Sequence, residues 1–107
     1  MQMNISGHHI ELTPALRAYV TEKLQRLSKH FDHLISIDVI LKVEKIDQMA
    51  EATVQAAGRK IYADASAPDM YAAIDALSDK LDRQVRRHKQ RLRDNHHGRA
   101  ESAASNP

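Results

Sequence analysis

Three observations predict an α+β two-layer sandwich for this chain, in the order β-α-β-β-β-α, with two helices on one face of a four-stranded sheet. Two stretches repeat apolar residues at helical spacing, three consecutive stretches between them alternate with period two, and a short alternating stretch precedes them all. With 107 residues the chain suits one domain with one modest core.

Met1, Met3 and Ile5 alternate with Gln2, Asn4 and Ser6, the pattern of a half-buried strand, and Gly7 marks its end. Thr13 then stands where an N-cap belongs, with Pro14 at the first helical position. Leu16, Val20, Leu24, Leu27 and Phe31 follow at spacings of four, four, three and four, one stripe of an amphipathic helix. From Ile35 the period returns to two, and Ile35, Ile37, Val39, Leu41 and Val43 are expected on one face. The stretch KIDQM, residues 45–49, reads as a loop. Ala50, Ala52, Val54 and Ala56 form a second strand, Gly58 a turn, and Ile61, Ala63 and Ala65 a third, giving an antiparallel meander. The second helix begins near Ser66 or Asp69 and carries Met70, Ile74, Leu77, Leu81, Val85, His88 and Leu92 on one face. Residues 1–93 are therefore read as the folded domain. Residues 94–107 contain no large apolar side chain and are expected to be a disordered tail.

Charge is segregated along the chain. Residues 80–93 carry +6 and the remainder −4, although the total is only +2. Turned at 100° per residue, the second helix places Lys80, Arg83, Arg87 and Arg91 in one stripe beside its apolar face, with Asp75, Asp79 and Asp82 across from it. On the first helix Lys23 and Arg26 share a stripe with Tyr19 and His30. Sorted cations on rigid helices suit a polyanion, with phosphates met by arginine forks and lysine point charges and affinity drawn largely from counterion release. The plainer alternative is that long basic side chains cover core edges and keep a helix in solution. A further alternative is a basic interaction module for an acidic protein partner.

Other functions are argued against. Base recognition on the sheet is unsupported, since Tyr62 is the sole aromatic expected on its open face, and no G-x-x-G clamp, phosphate loop or dinucleotide fingerprint occurs. His8, His9 and Glu11, and the pair His96 and His97, are poor metal sets because neighbours in a strand point to opposite faces and the second pair falls in the tail. No nucleophile, carboxylate pair or triad can be assembled, so neither a catalytic residue nor a cofactor or small-molecule substrate is expected, and the chain is read as a non-enzyme. It has no cysteine, no apolar run of membrane-spanning length and no basic region followed by an apolar core at its start. A cytoplasmic location without membrane contact is expected.

Two segments carry a resemblance. MNISGHHIELTPALRAYVTEKLQRLSKHFD near the front, and DMYAAIDALSDKLDRQVRRHK towards the end, are similar to the ribosome hibernation promoting factor family, which includes ribosome-associated inhibitor A. The likeness covers about residues 1–92, with DMYAAID followed by DKL as its most specific part. It implies the fold derived above, like that of double-stranded-RNA-binding domains, with parallel helices. It also implies a factor that binds the small ribosomal subunit and its rRNA in the channel used by messenger and transfer RNA, and silences translation reversibly in stationary phase. The family's RNA contacts map onto Lys23, Arg26, Lys80, Arg83, Arg87, Lys89 and Arg91, and Arg86 adds a further cation at a different angle. The short form of the family promotes ribosome dimerisation together with ribosome modulation factor, whereas the inhibitor-A branch inactivates single ribosomes and opposes dimers. The length of the tail leaves both readings open.

Overall fold

A computed structural model describes residues 2–29 and 33–97, with side chains as far as Arg87. The elements are β1 (Gln2–His8), α1 (Pro14–Gln25), a 3₁₀ turn (Arg26–Lys29), β2 (Leu34–Glu44), β3 (Asp47–Ala56), β4 (Arg59–Ala67) and α2 (Met70–His97). The sheet runs in the order β1-β2-β3-β4. β1 lies parallel to β2, which requires a crossover between them, and α1 supplies it; the other neighbours are antiparallel. This is the α+β sandwich that the periodicities predict.

Two close fits shape the connections. A Cβ on Gly7 would lie 2.8 Å from the Ile10 carbonyl oxygen and 3.1 Å from Leu12 Cγ, so the chain can fold back beneath β1 only because that position is glycine. The β2–β3 connection is a two-residue turn with Lys45 at φ +57°. Most of KIDQM therefore belongs to strand, because the ladder continues through Asp47, Gln48 and Met49 once Lys45 adopts the left-handed conformation that such turns need.

The core lies between the sheet and the helices. Across the inner face, register lines up Met3, Ile37, Val54 and Ile61, then Ile5, Val39, Ala52 and Ala63, then Gly7, Leu41, Ala50 and Ala65. The side chains are large under β2 and small at most positions under β3 and β4. This alanine floor receives α2, whose Ala73, Ile74, Leu77, Leu81 and Val85 are wholly buried. Leu16, Val20, Leu24 and Leu27 bury the inner side of α1 and the 3₁₀ turn in the same cluster. Thr13 caps α1, its hydroxyl accepting from the Leu16 backbone N–H at 3.1 Å, and the Asp69 carboxylate accepts from the Ala72 N–H at 3.0 Å to cap α2.

Three expectations are revised. The first apolar stripe does not stay on one α-helix: the backbone tightens into the 3₁₀ turn at Arg26, which still buries Leu27, while Phe31 lies outside the described residues. Ile35 is 53% exposed, because the ladder shifts register between Leu34 and Ser36 and turns it away from the core. Helix α2 passes Arg93 and continues to His97, since no glycine or proline interrupts it before Gly98; residues 98–107 of the expected tail lie outside the described residues.

The α2 interface should be sensitive to volume in both directions. Leu81→Ala is expected to cost about 2–5 kcal/mol through a buried cavity, and Ala63→Leu about 1–3 kcal/mol by forcing α2 off its floor. Urea unfolding of both variants measures this; a neutral Ala63→Leu would show that α2 does not sit tightly on β4.

Candidate nucleic-acid interface

The inner side of α2 is filled by core residues, so its rotation is fixed and its two flanks acquire fixed roles. One flank faces α1. The Tyr19 hydroxyl donates to Asp75 Oδ1 at 2.5 Å, Lys23 Nζ lies 3.3 Å from the same oxygen, and the Tyr19 and Tyr71 rings meet at 4.9 Å nearly at right angles. Further along, Arg26, Leu27, Ser78, Asp79, Asp82 and Arg86 line a shallow hollow. The contacts advance in the same direction along both helices, so α1 and α2 run parallel.

This seam is not uniformly basic. Lys23 ends between the Asp75 carboxylate and the Tyr19 ring, 5.5 Å from the ring centroid. Arg86 Nε lies 3.1 Å from Asp82 Oδ2, one turn back on α2. The hydrogen bond from Tyr19 and the nearby Lys23 ammonium hold the Asp75 carboxyl below the usual carboxylate range, while the same bond pushes the Tyr19 hydroxyl up to about 12.

The other flank of α2 runs along β4. Lys80 Nζ donates to the Asp64 carbonyl at 2.7 Å, and Gln84 Nε2 donates to the Tyr62 carbonyl at 3.1 Å. Both occupy acceptors on the outer edge of the sheet, which would otherwise be open to pairing with another strand. Arg83 and Arg87 continue this flank outward; both are exposed, and neither has an ion pair among the described residues. The two basic stripes therefore do not converge on one groove. They are separated by the crest of α2, where Asp79 is exposed, and by Asp75 and Asp82 on its side towards α1. Lys89 and Arg91 lie on the helical backbone of α2, but their side chains, like that of His88, fall outside those described.

The opposite face of the sheet has a different character. Tyr62 Oη donates to Glu51 Oε2 at 2.7 Å, with Asp64 Oδ2 a second acceptor 3.1 Å away, Lys42 pairs with Glu51 at 3.2 Å, and Asn4 Nδ2 donates to Asp38 Oδ1 at 2.8 Å. Tyr62 and Lys42 hold Glu51 below the usual carboxylate range. Asp38, Glu44, Asp47 and Asp64 add to an acidic surface that disfavours a polyanion. Among the described residues, no group of His, Asp and Glu is arranged to hold a metal ion, and no helix is long and apolar enough to cross a membrane.

Sequence periodicity located both stripes but not the partners of their members. The engagement of Lys23 by Asp75 needs the parallel placement of two helices far apart in sequence, and that of Lys80 needs the position of the β4 edge. Neither leaves a local signal.

Comparison with known proteins places this geometry among relatives. A family model described as Sigma 54 modulation protein / S30EA ribosomal protein matches residues 3–93. The chain is 56% identical over 91 residues to a ribosome hibernation promoting factor of Pseudomonas putida, covering 85% of this chain and 89% of that protein. It is 47% identical over 93 residues to the Escherichia coli protein of the same name, covering 87% and 98%. Among solved structures, a ribosomal subunit interface protein from Coxiella burnetii superposes with a TM-score of 0.77 at 30% identity, covering 84% of this chain and 99% of that one. The N-terminal domain of Thermus thermophilus Protein Y gives 0.77 at 34% identity, covering 82% and 99%.

The Asp75 contact between helices should appear in acid unfolding. A carboxyl held down in the folded state contributes stability that is complete above its unfolded value, about 3.9, and disappears as pH falls through the folded value. Asp75→Asn should therefore lower the thermal midpoint at neutral pH by an amount that shrinks below about pH 4. A gap that stays constant across the acid range would mean that the carboxylate charge contributes nothing.

Proposed function

The chain belongs to the Sigma 54 modulation protein / S30EA ribosomal protein family, and on that footing we propose that it is a ribosome hibernation factor acting by binding rather than by catalysis. In this reading it binds the small ribosomal subunit through rRNA in the channel for messenger and transfer RNA, reversibly inhibits translation in the stationary-phase cytoplasm, and promotes ribosome dimerisation together with ribosome modulation factor. The dimer-promoting branch is favoured over the inhibitor-A branch by the relatives named hibernation promoting factor, which match along 89% and 98% of their lengths.

The observation that carries the reading is the exposed outer flank of α2. Arg83 and Arg87 stand one turn apart on a helix whose inner row, including Leu81 and Val85, is fully buried. Their spacing is rigid, and they have no ion pair to break among the described residues before meeting phosphate. Arg26 is exposed on the α1 side and offers a second point of contact. Lys80, Lys89, Arg91, Lys23 and Arg86 complete the proposed RNA-facing set, with graded contributions: Lys80 already serves a carbonyl, and Lys23 and Arg86 are already paired with carboxylates. The acidic open face of the sheet supports the same orientation by repelling phosphate from the opposite side.

Sedimentation with ribosomes tests the broad reading: the protein should travel with small subunits and intact ribosomes, and dimers should increase when ribosome modulation factor is added. Replacing both Arg83 and Arg87 by Gln should flatten the plot of log affinity against log salt by roughly 1.4 to 1.8, at about 0.7 to 0.9 per phosphate contact. Lys23→Gln should change it by less than half as much, because Asp75 already acts as the counter-ion of Lys23. A change of half the size would show that only net charge matters, and binding that survives removal of RNA would point to an acidic protein partner.

A further inference from the structure

Tyr71 is a large side chain with no assigned role. It stands on the first turn of α2, 42% exposed, at the N-terminal end of the seam whose later turns carry Lys23 and Arg26. It is neither covered as a core aromatic would be nor left free, because another ring holds it in place. Its orientation is fixed from one side: the Tyr19 ring meets it at 80°, and the Tyr19 hydroxyl is in turn held by Asp75. An edge-to-face neighbour covers at most one face of a ring, so Tyr19 itself does not close off both faces of Tyr71, and 42% of the residue stays open to solvent. The other exposed aromatic, Tyr62, lies against two carboxylates, Glu51 and Asp64, of which only Glu51 has a lysine partner among the described residues, whereas Asp75, one turn from Tyr71, is paired with Lys23.

We propose that the exposed ring of Tyr71 is a stacking site for one unpaired RNA base, positioned by Tyr19, while the cations along the seam hold the adjoining phosphates. This rests on the small-subunit reading and extends it from phosphate contact to recognition of single-stranded RNA. The ligand class follows from the chemistry. A ring face accepts any base, but within a duplex the base faces are covered by their neighbours, so only a splayed or terminal nucleotide can stack. The aromatic platform missing from the open sheet thus lies between the helices. Its preorganisation reduces the ordering cost that a free tyrosine side chain would incur on binding.

Equilibrium binding to purified small ribosomal subunits at several salt concentrations tests this with Tyr71→Phe and Tyr71→Leu. The Phe variant keeps the ring face and should bind within about twofold of the original protein. The Leu variant should lose roughly five- to 150-fold, the range found when a stacking aromatic is removed, with the salt slope unchanged because no phosphate contact is lost. A Leu variant that binds as tightly as the original overturns the proposal by showing that no base stacks on the ring; a changed slope overturns it by showing that the cations have moved. If the unaltered protein does not bind subunits, the parent reading fails and the base site fails with it. A second readout does not depend on the Leu variant folding. The chain contains no tryptophan, so Tyr71→Trp is a single reporter. Its emission should be quenched by protein-free small-subunit rRNA, and unchanged emission in a sample whose anisotropy shows it bound to that RNA overturns the site.

Discussion

The close seating of α2 on the alanine floor of β3 and β4 is the constraint on which the rest of the molecule depends. Ala50, Ala52, Ala63 and Ala65 present little more than a methyl group each, which lets the helix bring Ile74, Leu77, Leu81 and Val85, all fully buried, down to the sheet. A helix so seated cannot rotate, and its flanks inherit their neighbours. One meets α1 and supplies carboxylates to it; the other meets the edge of β4 and supplies donors to its carbonyls. The cations left over face outward. The proposed binding surface is thus a consequence of core packing rather than a separate device.

The cations are consequently not equivalent. Lys80, with Gln84, satisfies the exposed edge of β4 and so blocks the strand pairing that an uncovered edge invites. Lys23 balances Asp75 in the seam, and Arg86 balances Asp82. Among the described residues, Arg83 and Arg87 have neither duty. A surface that looks from composition like one block of positive charge divides into residues that maintain the fold and residues available to a ligand. Pairs as exposed as these contribute little to stability individually; their larger effect is to fix where charge stands before a partner arrives.

Much of the fold was legible because its elements obey their periods without conflict. The strand alternation from Ile37 to Leu41 and from Ala50 to Ala56, and the spacing from Ile74 to Val85, each matched one burial pattern. The errors arose where a local choice overrode period. Ile35 is apolar and in phase, yet a register shift beside it turned it outward. KIDQM looked like a loop because it mixes polar and apolar residues, but one left-handed residue, Lys45, was enough to close the hairpin. The apolar stripe of the first helix gave no sign that its hydrogen bonding tightens at Arg26. At the candidate site the sides of each helix were readable from angle alone. The direction in which the helices face one another was not, and it decides that Asp75 meets Lys23 and that Tyr71 meets Tyr19.

The central claim is that the helical layer, and not the open sheet, faces rRNA. Because the chain has no cysteine, one can be introduced at a chosen point, as Asp79→Cys on the crest of α2 or Thr53→Cys in the middle of the open sheet face, and joined to an iron chelate that cleaves nearby RNA. With small subunits bound at saturation, the chelate at position 79 is expected to cut rRNA strongly at a confined set of nucleotides, and the one at position 53 weakly. Stronger cleavage from position 53 would contradict the account, placing the acidic sheet against the RNA and leaving the basic flank of α2 as solvated surface.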